Sequence, residues 1–163
     1  MKTQSLRIPS VILVDDHIIF RQGLKSLITF SKLGTVLGEA SDGVEFLELI
    51  ATTKPDLVIM DIDMPNMDGI EATRKVMTMT PTIKIIVFSM FGDEEYYNQM
   101  INLGVKGFIL KSSGITEVEN AISEVMGGRT YFSNALPKKA AGTANSSKTA
   151  SPEEDKKIPV PWW

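Results

Sequence analysis

A doubly wound α/β sheet of five parallel strands, ordered 2-1-3-4-5 with helices on both faces, is the architecture this sequence predicts. Three observations lead there. Short apolar runs alternate five times with segments of helical periodicity. Four of the runs, those ending at Val14, Met60, Phe88 and Leu110, are continuously apolar, as strands covered on both faces must be. Polar residues follow four of them in order: Asp15 and Asp16, then Asp61, Ser89 and Lys111. Ligand sites of open parallel sheets lie beyond the carboxyl ends of the strands, where these residues would stand.

The first strand is expected over 10–14, and the helix after it over 18–30, with Phe20, Leu24, Leu27 and Ile28 on one face. A second strand over 36–40 leads to a helix starting near Gly43. Asp42 is its expected N-cap, and Val44, Leu47 and Ala51 its buried face. Pro55 marks the turn into a third strand, 57–60. The next helix starts after Gly69 and stops before Pro81. The fourth strand is expected over 83–88, followed by a helix over 93–102 that Gly104 closes. The fifth strand, 107–110, precedes a helix over 116–126 ended by Gly127-Gly128, with Val118, Ala121, Ile122, Val125 and Met126 as its stripe.

Composition narrows the functional classes. The 163 residues suffice for one domain plus a tail, and 43% are apolar. A net charge of -3 argues against a nucleic-acid surface on this chain. With no cysteine there is neither a disulfide framework nor a thiolate metal site. No run approaches the roughly 20 apolar residues of a membrane helix, and no signal-peptide core opens the chain. A cytoplasmic protein without a membrane partner is expected.

Three carboxylates, a hydroxyl and an ammonium at one sheet edge fit metal-dependent phosphoryl transfer, which needs a nucleophile, charge neutralisation and alignment. Asp61 is the candidate nucleophile, alone at the end of the central run. Asp15 and Asp16 offer hard oxygen ligands. Acids this close repel unless a cation intervenes, and Mg²⁺ suits few carboxylates plus a phosphate. Lys111 can neutralise one phosphoryl oxygen and Ser89 can donate to another. Singly, each residue has a plainer reading as loop solvation, a helix cap or a turn. His17, the sole histidine, reads as a helix-start residue beside the site.

Taken in order, Val14-Asp15-Asp16-His17, the segment from Met60 to Gly69 (MDIDMPNMDG), Phe88-Ser89 and Gly107-Phe108-Ile109-Leu110-Lys111 resemble the response-regulator receiver family over about residues 8–133. The resemblance implies the flavodoxin-like receiver fold, with a histidine kinase or phosphotransfer protein donating a phosphoryl group to Asp61 and the aspartyl phosphate hydrolysed later. Beyond this self-directed reaction no enzyme activity is implied. It further implies that Asp16 and Asp61 bind Mg²⁺ directly, that Asp15 acts mainly through water, and that the backbone carbonyl of Asp63 is a third protein ligand. Ser89 and Phe108 would form the switch. The fourth helix, fifth strand and fifth helix would form the readout face, with Tyr96, Tyr97 and Phe108 as aromatic surface. A homodimer is compatible with this reading.

Phe20-Arg21-Gln22-Gly23-Leu24 and Gly127-Gly128-Arg129-Thr130-Tyr131-Phe132-Ser133 are similar to receivers that precede a LuxR-type helix-turn-helix. Most receivers carry proline after the lysine; Ser112 stands here, and a looser loop is expected. Residues 1–133 are expected to form the receiver. From 138 to 152 the sequence reads as a linker, and Ser151-Pro152-Glu153-Glu154 can start a helix that Pro159 and Pro161 would stop. A helix-turn-helix domain needs about 60 patterned residues, so no complete output domain is expected in 134–163. Trp162-Trp163 reads as an end without structure. The output is then either transcription regulation or, alternatively, a stand-alone phospho-switch that binds a protein. A remoter alternative is a haloacid-dehalogenase-type phosphatase, with Asp61 as nucleophile and Asp63 as general acid/base. That family, however, puts its Asp-x-Asp on the first strand.

Overall fold

A computed structural model describes residues 7–133. The expectations for 134–163, including Trp162 and Trp163, lie outside the described residues. In chain order the elements are β1 (Ser10–Val14), α1 (Ile18–Phe30), β2 (Thr35–Ala40), α2 (Gly43–Ile50), β3 (Leu57–Met60), α3 (Gly69–Met79), β4 (Ile85–Ser89), α4 (Glu94–Leu103), β5 (Gly107–Leu110), α5 (Ile115–Met126) and β6 (Tyr131–Phe132). All strands are parallel, in the order β2-β1-β3-β4-β5-β6.

Side chains alternate across each strand. Ile12, Val14, Val58, Met60, Ile85 and Val87 pack with α2, α3 and α4. Val11, Leu13, Leu57, Ile59, Ile86 and Phe88 pack with α1 and α5. This double coverage explains the unbroken apolar runs. Asp42 and Asp68 cap α2 and α3 by accepting from the amides of Glu45 and Glu71. Gly104, at φ 98°, closes α4 in the left-handed conformation.

Two glycine-dependent features differ in kind. Gly104 serves a turn, whereas Gly69 serves a close approach. A Cβ on Gly69 would lie 2.0 Å from the backbone oxygen of Asp61, so the N-terminus of α3 rests directly on the main chain of β3's end.

Three local expectations are corrected. The sheet has a sixth strand: α5 is itself a crossover, returning Tyr131 and Phe132 to pair with Gly107 and Phe108. Two residues are too few to show periodicity. The fourth strand starts later, because Ile83 is taken up in a turn after Pro81, bonded through its amide to the Thr80 carbonyl. In α2 the buried face is Gly43 and Phe46, with Leu47 and Ile50 packed at its margin; Val44 is exposed. Phe46, Leu47 and Ile50 share one side of the helix, and Val44, two residues before Phe46, falls on the other.

Candidate functional site

Strand register assembles the carboxyl edge. Val14 is level with Met60, and the Asp61 amide donates to the Val14 carbonyl at 2.9 Å. Asp15 and Asp61 therefore emerge side by side. Ser89 is level with Leu110, and the Lys111 amide donates to the Ser89 carbonyl at 2.7 Å. Lys111 Nζ then reaches Asp15 Oδ2 at 2.7 Å and Asp61 Oδ2 at 3.3 Å. It also lies 4.5 Å from the centroid of the Phe20 ring, which rests on Phe88. The ammonium is buried between two acids and an aromatic face.

His17 enters this cluster more deeply than the sequence reading placed it. Its Nδ1 lies 3.1 Å from Asp15, 3.5 Å from Asp16 and 3.9 Å from Asp61. Lys111 Nζ approaches the same nitrogen at 3.2 Å. The neutral ring donates to Asp15 in one tautomer and accepts from Lys111 in the other. The His17 amide also donates to Asp15 Oδ1 at 2.8 Å, fixing that carboxylate at the start of α1.

Burial pushes the Asp61 carboxyl up to about 6, with the neighbouring Asp15 charge adding to the rise and Lys111 opposing it. Asp61 Oδ1 accepts from the Ile62 amide at 2.9 Å. Its Oδ2 faces Lys111 as an ion pair but has no hydrogen bond of good geometry, and Asp16 Oδ1 is buried without a hydrogen bond, 3.5 Å from His17 Nδ1. One ligand atom each from Asp15, Asp16, His17 and Asp61 lie within 4.8 Å of one another. Two buried carboxylate oxygens without hydrogen bonds in such a set fit a hard divalent cation. Asp63 is exposed, on the wall of a cleft of about 430 Å³ that also includes Ser89, Phe91 and Tyr96. Its side chain is outside the acid cluster.

The response regulator receiver domain matches residues 11–123. The chain belongs to that family. It is 32% identical over 122 residues to the transcriptional regulatory protein DegU of Brevibacillus brevis, covering 75% of this chain and 52% of that protein. To the response regulator GacA of Pseudomonas aeruginosa it is 33% identical over 131 residues, 80% of this chain and 61% of GacA. The chain thus spans about half to three fifths of the length of these relatives. Among solved structures it is similar to a LuxR-family two-component response regulator from an Aurantimonas species, with TM-score 0.76, 33% identity, and coverage of 80% of this chain and 93% of the other. It is also similar to a LuxR-family DNA-binding response regulator of Staphylococcus aureus, with TM-score 0.69, 28% identity, and coverage of 73% and 99%.

In this receiver the Ser89 hydroxyl is turned to its own loop. It donates to the Phe91 carbonyl at 2.9 Å and receives the Phe91 amide at 3.2 Å. Phe108 is fully buried, with Tyr97 edge-on at 5.4 Å and Phe132 edge-on to Tyr97 at 5.9 Å. The expected aromatic surface is therefore corrected. Of Tyr96, Tyr97 and Phe108 only Tyr96 is exposed, because Tyr97 points along the buried side of α4 onto β5 and β6. After Lys111 the chain forms a turn, with the Ser113 amide on the Leu110 carbonyl at 2.9 Å.

Two further groups support the site, although the sequence reading gave neither a place in it. Asp42, the cap of α2, accepts from Asn66 Nδ2 at 2.7 Å, and the Gly43 amide donates to the Met67 carbonyl at 2.9 Å. Asn66 sits at φ 67°. The loop after Asp61 is thereby tied back to the N-terminus of α2. Arg21 of α1 bonds the backbone carbonyl of Asp15 and Glu39 of β2.

Proposed function

We propose that this receiver accepts a phosphoryl group on Asp61 from a histidine kinase or phosphotransfer protein, and that the change drives an output domain that regulates transcription. The observation that carries the reading is a buried carboxylate whose Oδ2 lacks a hydrogen bond, 3.3 Å from a buried lysine. The Ile62 amide fixes the carboxylate plane through Oδ1. A lone pair on Oδ2 attacks the phosphorus, the bond from phosphorus to the donor's imidazole nitrogen breaks, and an aspartyl phosphate forms. Lys111 stands where it can neutralise a phosphoryl oxygen. Asp16, Asp61 and the Asp63 carbonyl would hold Mg²⁺, with Asp15 behind them through water. A bound Mg²⁺ supplies charge neutralisation for both the acids and the phosphoryl oxygens.

Once the phosphoryl group is present, the Ser89 hydroxyl exchanges its Phe91 partner for a phosphoryl oxygen through a charge-assisted hydrogen bond. That movement shifts an existing equilibrium of the segment after β4 and of Phe108, rather than creating a new fold. The activity is confined to the protein's own aspartate, and the setting is cytoplasmic; among the described residues no helix is long and apolar enough to cross a membrane. The test is intact mass after incubation with acetyl phosphate and Mg²⁺. Wild type gains one phosphoryl group and Asp61→Asn gains none. An equal phosphorylated fraction in the variant refutes the assignment.

A further inference from the structure

We infer that Arg21 is a positioning residue for the acid pair, acting on the cation site through the backbone carbonyl of Asp15; the inference rests on the phosphoacceptor reading above. The Asp15 carbonyl lies where the strand ladder has ended. β2 stops at Ala40, and Asp61 already donates to the preceding carbonyl, that of Val14. A carbonyl in this place needs a donor from elsewhere. Arg21, one turn into α1, supplies it with Nη1, while its Nε donates to Glu39 Oε1 at 2.9 Å and Nη1 also lies 3.4 Å from Ser41 Oγ. The side chain is largely buried at 12% exposure. The planar fork of the guanidinium permits these contacts in one rotamer, which an ammonium cannot reproduce.

A simple tie between α1 and β2 does not account for this arrangement. Lys25 Nζ already bonds Glu39 Oε2 at 3.0 Å, and Gln22 Nε2 bonds Oε1 at 3.2 Å. Only Arg21 continues to the site. The effect falls on Asp16. Its Oδ1 is buried and accepts no hydrogen bond, so the backbone that carries it sets its aim. That backbone is held at the Asp15 amide by the Ala40 carbonyl at 3.0 Å, and at the Asp15 carbonyl by Arg21. Without Arg21 the backbone of Asp15 keeps the anchor on its amide but loses the one on its carbonyl, in the peptide that leads into Asp16, so the aim of Asp16 is no longer held from that side.

The experiment titrates Mg²⁺ into the full chain by calorimetry for wild type, Arg21→Met, Arg21→Lys and Glu39→Gln. In parallel, the rate of Asp61 phosphorylation by acetyl phosphate is followed against Mg²⁺ concentration. Loss of an outer-shell partner typically weakens a metal site 10- to 100-fold, so Arg21→Met should bind Mg²⁺ about tenfold more weakly. Its rate at saturating Mg²⁺ should stay near wild type, because Asp61 and Lys111 are untouched. Arg21→Lys, able to reach one acceptor, and Glu39→Gln, which frees the guanidinium, should fall between. Wild-type Mg²⁺ affinity in Arg21→Met overturns the inference whatever its thermal stability; if that variant does not fold, wild-type affinity in both other variants overturns it. Wild type that binds Mg²⁺ yet gains no phosphoryl mass refutes the phosphoacceptor reading instead, and the affinity comparison still decides the role of Arg21.

Discussion

Replacing Asp61 by asparagine should stabilise the metal-free protein, and by an amount that depends on pH. The carboxyl moves from its ordinary 3.8 to about 6 on folding, chiefly because it is buried, with Asp15 adding to the effect. One pKa step is worth about 1.4 kcal/mol, so the ionised side chain costs the native state about 3 kcal/mol relative to its neutral form. The sign follows from linkage. Because the native pKa is raised, the folded protein holds this proton more tightly than the unfolded chain. The associated stability is fully present below about pH 4 and is lost as pH rises through about 6. Asparagine is always neutral and lacks this loss. Asp42, held low by the Glu45 amide and Asn66, and Asp56, held low chiefly by the Ser10 amide, act in the opposite direction as pH falls. They are common to both proteins and cancel in the difference. The assay is urea denaturation in EDTA, followed by circular dichroism, at intervals from pH 4.5 to 8. The stability difference in favour of Asp61→Asn should grow to about 3 kcal/mol by pH 7 to 8. A difference that does not change with pH, or a less stable variant at pH 8, would refute the electrostatic account of the site.

Other outcomes follow from the same geometry. Lys111→Met strands Asp15 and Asp61 without their cation and should cost about 3–5 kcal/mol of metal-free stability in denaturant titrations; adding Asp61→Asn should recover part of it, and strict additivity would contradict a shared interaction. Gly69→Ala must displace either the start of α3 or the main chain of Asp61, so a loss of about 2–4 kcal/mol is expected in the same titrations. Ser89→Ala should still take a beryllofluoride mimic at Asp61, but its backbone NMR shifts over residues 93–110 should fall short of wild type. Full wild-type shifts in that variant would show that the hydroxyl is not the trigger.

The parts of the molecule that repeat were legible beforehand. Unbroken apolar runs revealed four of the strands, because a sheet covered on both faces leaves no polar side; β2, at the sheet's edge, is the exception and carries Glu39. The polar residues after those runs revealed the site, because register brings strand ends level. Most of what escaped depends on contacts between distant segments. Tyr97 lies inward against Phe108 and Phe132, on the α4 face it shares with Met100 and Ile101 at helical spacing, a stripe the sequence reading passed over in favour of aromatic surface. In α2 two apolar faces are available from spacing alone, one through Val44, Leu47 and Ala51 and one through Phe46, Leu47 and Ile50, and which of them meets the sheet is fixed by packing against distant segments. His17 was seen as a helix start, yet its ring contacts three acids and Lys111. The link from Arg21 to the Asp15 carbonyl involves a main-chain atom, which has no sequence signature beyond a cation one turn past an acid pair.

The short strand β6 bears on where this unit can be cut. The recognised family region stops at residue 123, yet Tyr131 and Phe132 pair with β5, and the Ser133 amide bonds the Phe108 carbonyl at 3.0 Å. An excision just after α5 would leave Gly107 and Phe108 as a bare sheet edge, a template for unwanted pairing between molecules, and would remove Phe132 from the face of Tyr97. A fusion joined after Ser133 retains both. Anything attached there begins one strand width from Phe108, so a tether grafted at that point inherits the geometry of β5 directly, with no slack segment between them.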